Sequence, residues 1–401
     1  NFVMFIFGGL HVISSQVAWD TCAILTLAWC ISTKLSHQNA RTLLILPIPI
    51  IGWTLSAWTK RWTITFPMIP ILILQLCRRI TFIQRRHWLS TCVALISTIF
   101  LLISVVLCIA FPPLSPPIVS GPYHVGAVDL YLPVEHKELN STLTVRILYP
   151  TMSDSHDSKK NRRRLPYLKP ALASEYLKQS IQTAAPKPLD SWFWFLDNWK
   201  LIYLDVIENA MPYQGKEFPI LIFSHGLGGS AALYSYITRS MAANGYIVLA
   251  VDHTDGSNPV IVQKNGTVVT LNSSPIQDLW AQKKFVKYAN FRRRQTNLRA
   301  LELEAATEVL RSLNSHNIPE LATRGISFMG CLDLNQIYVM GHSFGGASAL
   351  TVAFRRPDLY RAVLAHEPVV DWTPDDVREQ LLPQNSIESY PNICSAGTGG
   401  I

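Results

Sequence analysis

A chain of 401 residues has room for one large domain of roughly 250 residues and an additional module, because single hydrophobic cores stop growing near that size. The formal net charge of +8 gathers in short Lys/Arg clusters beside apolar runs and in residues 159–164, a pattern that fits basic loops flanking membrane helices and argues against a nucleic-acid partner. The seven cysteines exclude a disulfide scaffold and a Cys/His metal centre. Cys22, Cys30, Cys77, Cys92 and Cys108 fall in an apolar N-terminal part, Cys331 and Cys394 fall beyond it, and no ligand-like spacing occurs.

Between Asp20 and Asp129 no acidic residue occurs, and apolar runs follow one another. Residues 88–112 carry no charge and are long enough as a helix to cross a hydrocarbon core of roughly 30 Å. Uncharged runs at 42–59 and 62–77 contain Pro47, Pro49, Pro67 and Pro70, and read as two further spans or one re-entrant pair; a helix near 13–33 completes the set. The sequence thus predicts a multi-span helical membrane region over residues 1–112, of about four spans. Arg78, Arg79, Arg85 and Arg86 hold the loop before the last span on the cytoplasmic side, which puts residues 113–401 in the lumen or outside the cell. Asn-x-Ser/Thr sequons at Asn140, Asn265 and Asn272 agree with exposure to the glycosylation machinery.

From Gly121 the pattern changes to short β-rich runs, with residues 143–149 a first strand. Residues 153–188 are polar, basic and Pro-containing. The aromatic run 192–203, with Trp192, Phe193, Trp194, Phe195, Trp199 and Tyr203, predicts a core or cap helix, or else a surface patch that dips into a lipid interface. Three segments then alternate strand and helix: 218–224 into a Gly-rich turn, 246–251 after a helix-like stretch, and 336–340 into a second tight turn and helix. Residues 291–313 place Leu298, Leu301, Ala305, Val309 and Leu313 at helical spacing. This repetition predicts an α/β fold with a mainly parallel sheet covered on both faces.

Gly341-His342-Ser343-Phe344-Gly345 fits the Gly-x-Ser-x-Gly nucleophile elbow of an α/β-hydrolase, where small residues flank a serine because a strand-to-helix turn crowds the backbone. A strand-like run, Gln336-Ile337-Tyr338-Val339-Met340, precedes it, and the small residues Gly346-Ala347-Ser348-Ala349 follow. Acyl transfer also needs donors aimed at the oxyanion of the transition state, and a Gly-rich loop after an earlier strand supplies one in this fold. His225-Gly226-Leu227-Gly228-Gly229 follows the strand 219–223, which assigns the oxyanion hole to the backbone amides of Leu227 and Phe344. Removing one such donor typically costs about 3 kcal/mol of transition-state stabilisation.

The segments Phe223-Ser224-His225-Gly226-Leu227-Gly228-Gly229, Leu233-Tyr234-Ser235, Val251-Asp252-His253-Thr254-Asp255-Gly256-Ser257 and Gly341-His342-Ser343-Phe344-Gly345-Gly346 resemble the plasma and intracellular type II platelet-activating factor acetylhydrolases. The resemblance begins near Gly121-Pro122-Tyr123 and leaves out the apolar N-terminal part. It implies metal-independent and cofactor-independent hydrolysis of the short or oxidised sn-2 acyl ester of a phospholipid, by a Ser, His, Asp triad. Where the family carries its Asp, after the next strand, this chain has Glu367, a carboxylate that is able to orient an imidazole in the same way; Asp371 is the second choice. The family's base is a histidine well downstream of the acid, and none follows His366 here, so the base is expected in chain beyond Ile401. His366 adjoins Glu367 and, on an extended strand, would point to the opposite side, which counts against it as the base. His225, His253 and His342 read as structural or hydrogen-bonding groups. The expectation is a membrane-embedded phospholipid esterase with Ser343 as nucleophile. The alternatives are a general carboxylesterase and a catalytically dead lipid-binding homologue.

Overall fold

A computed structural model of the chain describes residues 116–152, 164–179, 202–271, 282–315, 318–381 and 393–396, apart from single positions, together with scattered residues between 88 and 103. The chain divides into two compact units, Asn1–Leu114 with Trp192–Leu201, and Ser115–Ser191 with Ile202–Ile401.

In the first unit the described residues are helical and fall between Trp88 and Ile103. No helix among the described residues is long and apolar enough to cross a membrane. That overturns the expected membrane region over residues 1–112 and, with it, the reading of an integral membrane protein with a lumenal or extracellular hydrolase domain. The physical reason lies in what an apolar run specifies: lack of charge permits a span, but a span also needs about 20 consecutive helical residues. The runs at 13–33, 42–59 and 62–77 lie outside the described residues, as does the aromatic run 192–203 apart from its last two positions. The glycosylation argument depended on that orientation and falls with it. Asn265 is exposed in a hairpin turn, where its side chain caps the amide of Thr267; Asn140 and Asn272 lie outside the described residues.

The second unit is built on a nine-stranded sheet in the order β11-β10-β9-β5-β6-β2-β1-β4-β3. Its strands are β1 (His124–Pro133), β2 (Thr142–Thr151), β3 (Arg164–Pro166), β4 (Tyr203–Glu208), β5 (Phe218–Ser224), β6 (Ile247–Asp252), β9 (Leu332–His342), β10 (Ala362–His366) and β11 (Ile393–Ala396); β7 (Val260–Val262) and β8 (Val268–Thr270) form a separate hairpin. From β6 to β11 neighbouring strands run parallel, whereas β2 is antiparallel to both β6 and β1. The central strands read as near-continuous apolar runs because both of their faces are covered. Alternation then sends Ile220, Ile222, Leu249 and Val251 to one core and Leu221, Phe223, Val248 and Ala250 to the other, as the two-residue period of a strand requires.

Helix α1 (Ser235–Ala243) packs Ala242 and Ala243 against the second core. Helices α2 (Phe285–Ser315) and α3 (Phe344–Arg355) pack Ala300, Leu303, Leu310, Ala349 and Val352 against the first. A short helix, α4 (Asp375–Leu381), follows β10. Because β5, β6, β9 and β10 are parallel, the turns that follow them gather at one edge of the sheet, where this architecture places its sites.

Helix α2 departs from its expected stripe. Ala305 and Leu313 are buried, but Leu298, Leu301 and Val309 are only partly so, and the N-terminal half instead buries Arg292, Gln295, Arg299 and Glu302. Those four positions share one helical face. The polar end of that face reaches the edge of the sheet where the site lies.

Candidate active site

Strand β9 ends at His342 and helix α3 begins at Phe344, so Ser343 alone makes the turn, with φ 55° and ψ −116°. A side-chain-bearing residue in the left-handed region costs about 1–3 kcal/mol and persists only where its surroundings over-determine it. Here the Ser343 N–H donates to the His366 carbonyl (2.9 Å), and the Ser343 carbonyl accepts from the amides of Ala347 (3.2 Å) and Val369 (3.3 Å). The flanking glycines follow from crowding. A Cβ on Gly341 would overlap the Gly345 carbonyl, one on Gly345 would overlap the Ser224 carbonyl, and one on Gly346 would come within 3.0 Å of the Pro368 side chain. Ser343 itself is half-buried.

Phe344 is the first residue of α3, and the first amides of a helix have no intrahelical acceptor. Across the turn from it lies the loop after β5. There Gly226 N–H donates to the Tyr234 hydroxyl (3.1 Å), Gly228 N–H to the Ser257 carbonyl (2.8 Å) and Gly229 N–H to the Gly226 carbonyl (3.0 Å). The Leu227 amide has no partner among the described residues. The loop is tied to the elbow by the Tyr234 hydroxyl, 2.7 Å from His342 Nδ1, and burial, with the neighbouring His366, lowers the pKa of the His342 imidazole.

Glu367 follows β10 directly and is exposed, with φ 45°. Because its backbone is left-handed, it does not continue the strand alternation, and His366 and Glu367 do not diverge as an extended segment would make them. Side-chain ligand atoms of His342, His366 and Glu367 come within 4.8 Å of one another; these are the described residues able to hold a cation. His366 Nδ1 is buried without a hydrogen-bond partner, and no described histidine is hydrogen-bonded to Ser343 Oγ. Asp371, the second-choice acid, lies exposed in a 3-10 turn (Val370–Trp372).

Beneath this surface lies a polar network that the sequence reading did not find. Ser224 Oγ is 2.8 Å from His253 Nε2, and His253 Nδ1 is 2.6 Å from Glu302 Oε2. All three side chains are fully buried, so this Ser-His-Glu relay has no access to a substrate. Glu302 Oε1 also accepts from the Thr254 amide (3.0 Å) and hydroxyl (2.5 Å). Burial first, and then the charge of Arg299, holds His253 well below the usual imidazole range; His225 is held down for the same reasons, with His253 adding to the effect. Burial pushes Glu302 up to about 7. His225 Nδ1–H donates to the Gly226 carbonyl (2.8 Å) while its Nε2 accepts the His253 amide (3.3 Å). Reading His225, His253 and His342 as hydrogen-bonding groups therefore matches their observed contacts. The parts missed are Arg299 and Glu302, and their only signal was a pair of charges three residues apart on one face of a helix.

A mostly parallel sheet with a strained serine between strand and helix at its C-terminal edge defines the α/β-hydrolase class. Within that class the chain belongs to the family of platelet-activating factor acetylhydrolase, isoform II, whose sequence profile matches residues 109–369. The platelet-activating factor acetylhydrolase of Bos taurus is 27% identical over 240 residues, covering 58% of this chain and 50% of that protein. A Schizosaccharomyces pombe protein named putative phospholipase A2 is 26% identical over 277 residues, covering 59% and 58%. The chain spans about half the length of the curated relatives it matches. Among solved structures, a ferulic acid esterase from Streptomyces cinnamoneus overlays with a TM-score of 0.45 at 19% identity, covering 63% of this chain and 62% of that one.

Proposed function

We propose that the protein is a serine esterase that hydrolyses the short or oxidised sn-2 acyl ester of phospholipids. Ser343 is the nucleophile, and the amides of Leu227 and Phe344 receive the oxyanion. The observation that carries the reading is the left-handed backbone of a half-buried Ser343 at the start of α3, a strain that serves to present a hydroxyl beside a helix N-terminus. Glu367 holds and stabilises the base, a role given to the histidine that the family resemblance puts downstream of the acid. That base deprotonates Ser343 Oγ as it attacks the ester carbonyl; the lysophospholipid alcohol leaves with the proton, and water then hydrolyses the acyl-enzyme. The phospholipid substrate class is supported by family membership and by the names of the relatives.

The test compares hydrolysis of short-sn-2 and long-sn-2 phosphatidylcholines by the complete protein and by Ser343→Ala. The expected result is preferential release of the short acyl group by the wild type and a fall of at least about 1000-fold in Ser343→Ala. Equal cleavage of simple soluble esters would favour a general carboxylesterase, and hydrolysis that survives Ser343→Ala would remove the nucleophile assignment.

A further inference from the structure

We propose that Arg299 is the positioning residue of the oxyanion hole, one guanidinium on α2 that fastens both of the backbone segments whose amides receive the developing charge. The inference rests on the reading of Ser343 as nucleophile and deepens it.

Arg299 is fully buried, and every bond of its fork goes to the edge of the sheet where the site lies. Nη1–H donates to the His225 carbonyl (2.6 Å), Nε–H to Asp255 Oδ2 (2.9 Å), and Nη2–H to the Ser257 hydroxyl. Ser257 in turn offers its carbonyl to the Gly228 amide at 2.8 Å. Residues on both sides of Leu227 are thereby bound into one Arg299-centred network. On its flat face the same guanidinium lies 4.1 Å from the centroid of the Phe344 ring, and that ring is fully buried and flanked on another side by Trp372 at 5.1 Å. Fork and face together fix the spacing between the Leu227 and Phe344 amides.

Only arginine meets both demands. A planar fork with five donors can bond three acceptors in its plane while stacking on an aromatic ring, whereas a lysine ammonium is a point charge that does neither together. Asp255 neutralises the buried charge, and its other oxygen accepts the Ser257 amide at 3.0 Å. Being fully buried, Arg299 acts through the backbone segments it fastens and sets the geometry of their amides. Its loss therefore belongs in kcat, where interactions made only in the transition state are read.

The experiment makes Arg299→Lys in the complete protein and measures amide hydrogen exchange, steady-state kinetics on a short-acyl ester, and affinity for two inhibitors. One is a trifluoromethyl ketone that forms a tetrahedral oxyanion on the serine; the other is a non-hydrolysable ether analogue of the substrate. The expected result is faster exchange confined to residues 225–229, 255–257 and 343–347, kcat lower by about 30- to 100-fold with KM within about twofold, and ketone affinity falling with kcat/KM while ether affinity holds. Phe344→Leu keeps the amide and removes the ring; it should show the same kinetic split, with faster exchange confined to 343–347. A folded Arg299→Lys with wild-type exchange or wild-type kcat would overturn the inference. If Arg299→Lys unfolds throughout, Phe344→Leu decides, and wild-type kinetics there would overturn it. A wild type that cleaves no ester sinks the nucleophile reading itself, whereas an active wild type with an unaffected Arg299→Lys sinks only the role of Arg299.

Discussion

Ser343 occupies a backbone region that glycine enters freely and other residues enter at a cost. Replacing it separates strain from chemistry. Ser343→Gly relieves the strain and is expected to raise unfolding free energy by about 1 kcal/mol, while Ser343→Ala retains a Cβ and should stay within about 0.5 kcal/mol of wild type. Both lose the nucleophile, so urea midpoints tell them apart where activity does not. At Gly345 the opposite holds, because the added Cβ would meet the Ser224 carbonyl, which is fixed at the end of β5. Gly345→Ala is expected to lower stability by about 3 kcal/mol or more, read as a drop in Tm.

At the scale of an element, α2 carries a buried polar face that couples the site to pH. Burial, and then the charge of Arg299, holds the His225 and His253 imidazoles neutral, well below their ordinary value of 6.5. A basic group with a depressed folded-state pKa takes up a proton on unfolding, so its contribution to stability is present above about pH 6.5 and is lost as pH falls. Glu302, with its pKa pushed up from 4.5 to about 7, works the other way. Across that interval its folded form holds more proton than its unfolded form, so its contribution declines as pH rises. Two imidazoles against one carboxyl leave a net uptake of about one proton on unfolding near pH 5.5, where stability should fall by about 1.4 kcal/mol per unit; the fall is shallower just below about pH 6.5, where the unfolded imidazoles are only half protonated. Glu302→Gln removes the opposing group and should roughly double that slope. Urea midpoints between about pH 7 and about pH 5.5 measure both, and a flat profile in the wild type would refute the neutral assignment of the two histidines.

At the scale of the whole molecule, legibility in the sequence followed the range of the interactions. Strand β5 spans Phe218–Ser224, the residues that its apolar run marked, and the Gly-x-Ser-x-Gly turn falls between β9 and α3, where the crowding of Gly341 against the Gly345 carbonyl is a local matter. The expected first strand at 143–149 lies within β2 and the helix at 291–313 within α2. What periodicity could not show was which face of α2 turns inward. The charge of Arg299 reads as a solvated position until the topology brings Asp255, Ser257 and the His225 carbonyl around it. Nor could alternation foresee Glu367, whose left-handed φ turns its side chain back toward His366. The apolar N-terminal run misled for a related reason, since absence of charge is a property of composition and a membrane span is a property of a continuous helix.

The two serines that lie beside histidine chemistry differ in one physical respect, which is access: Ser224 is fully buried within its Ser-His-Glu relay, and Ser343 is half-buried in the elbow. The measurement that tests the central claim most directly is labelling of the complete folded protein with a fluorophosphonate, followed by mapping of the modified residue by peptide mass spectrometry. The account predicts one phosphonylated serine, Ser343, with labelling abolished in Ser343→Ala and retained in Ser224→Ala wherever that variant folds. Modification at Ser224, or no modification of Ser343, would contradict it.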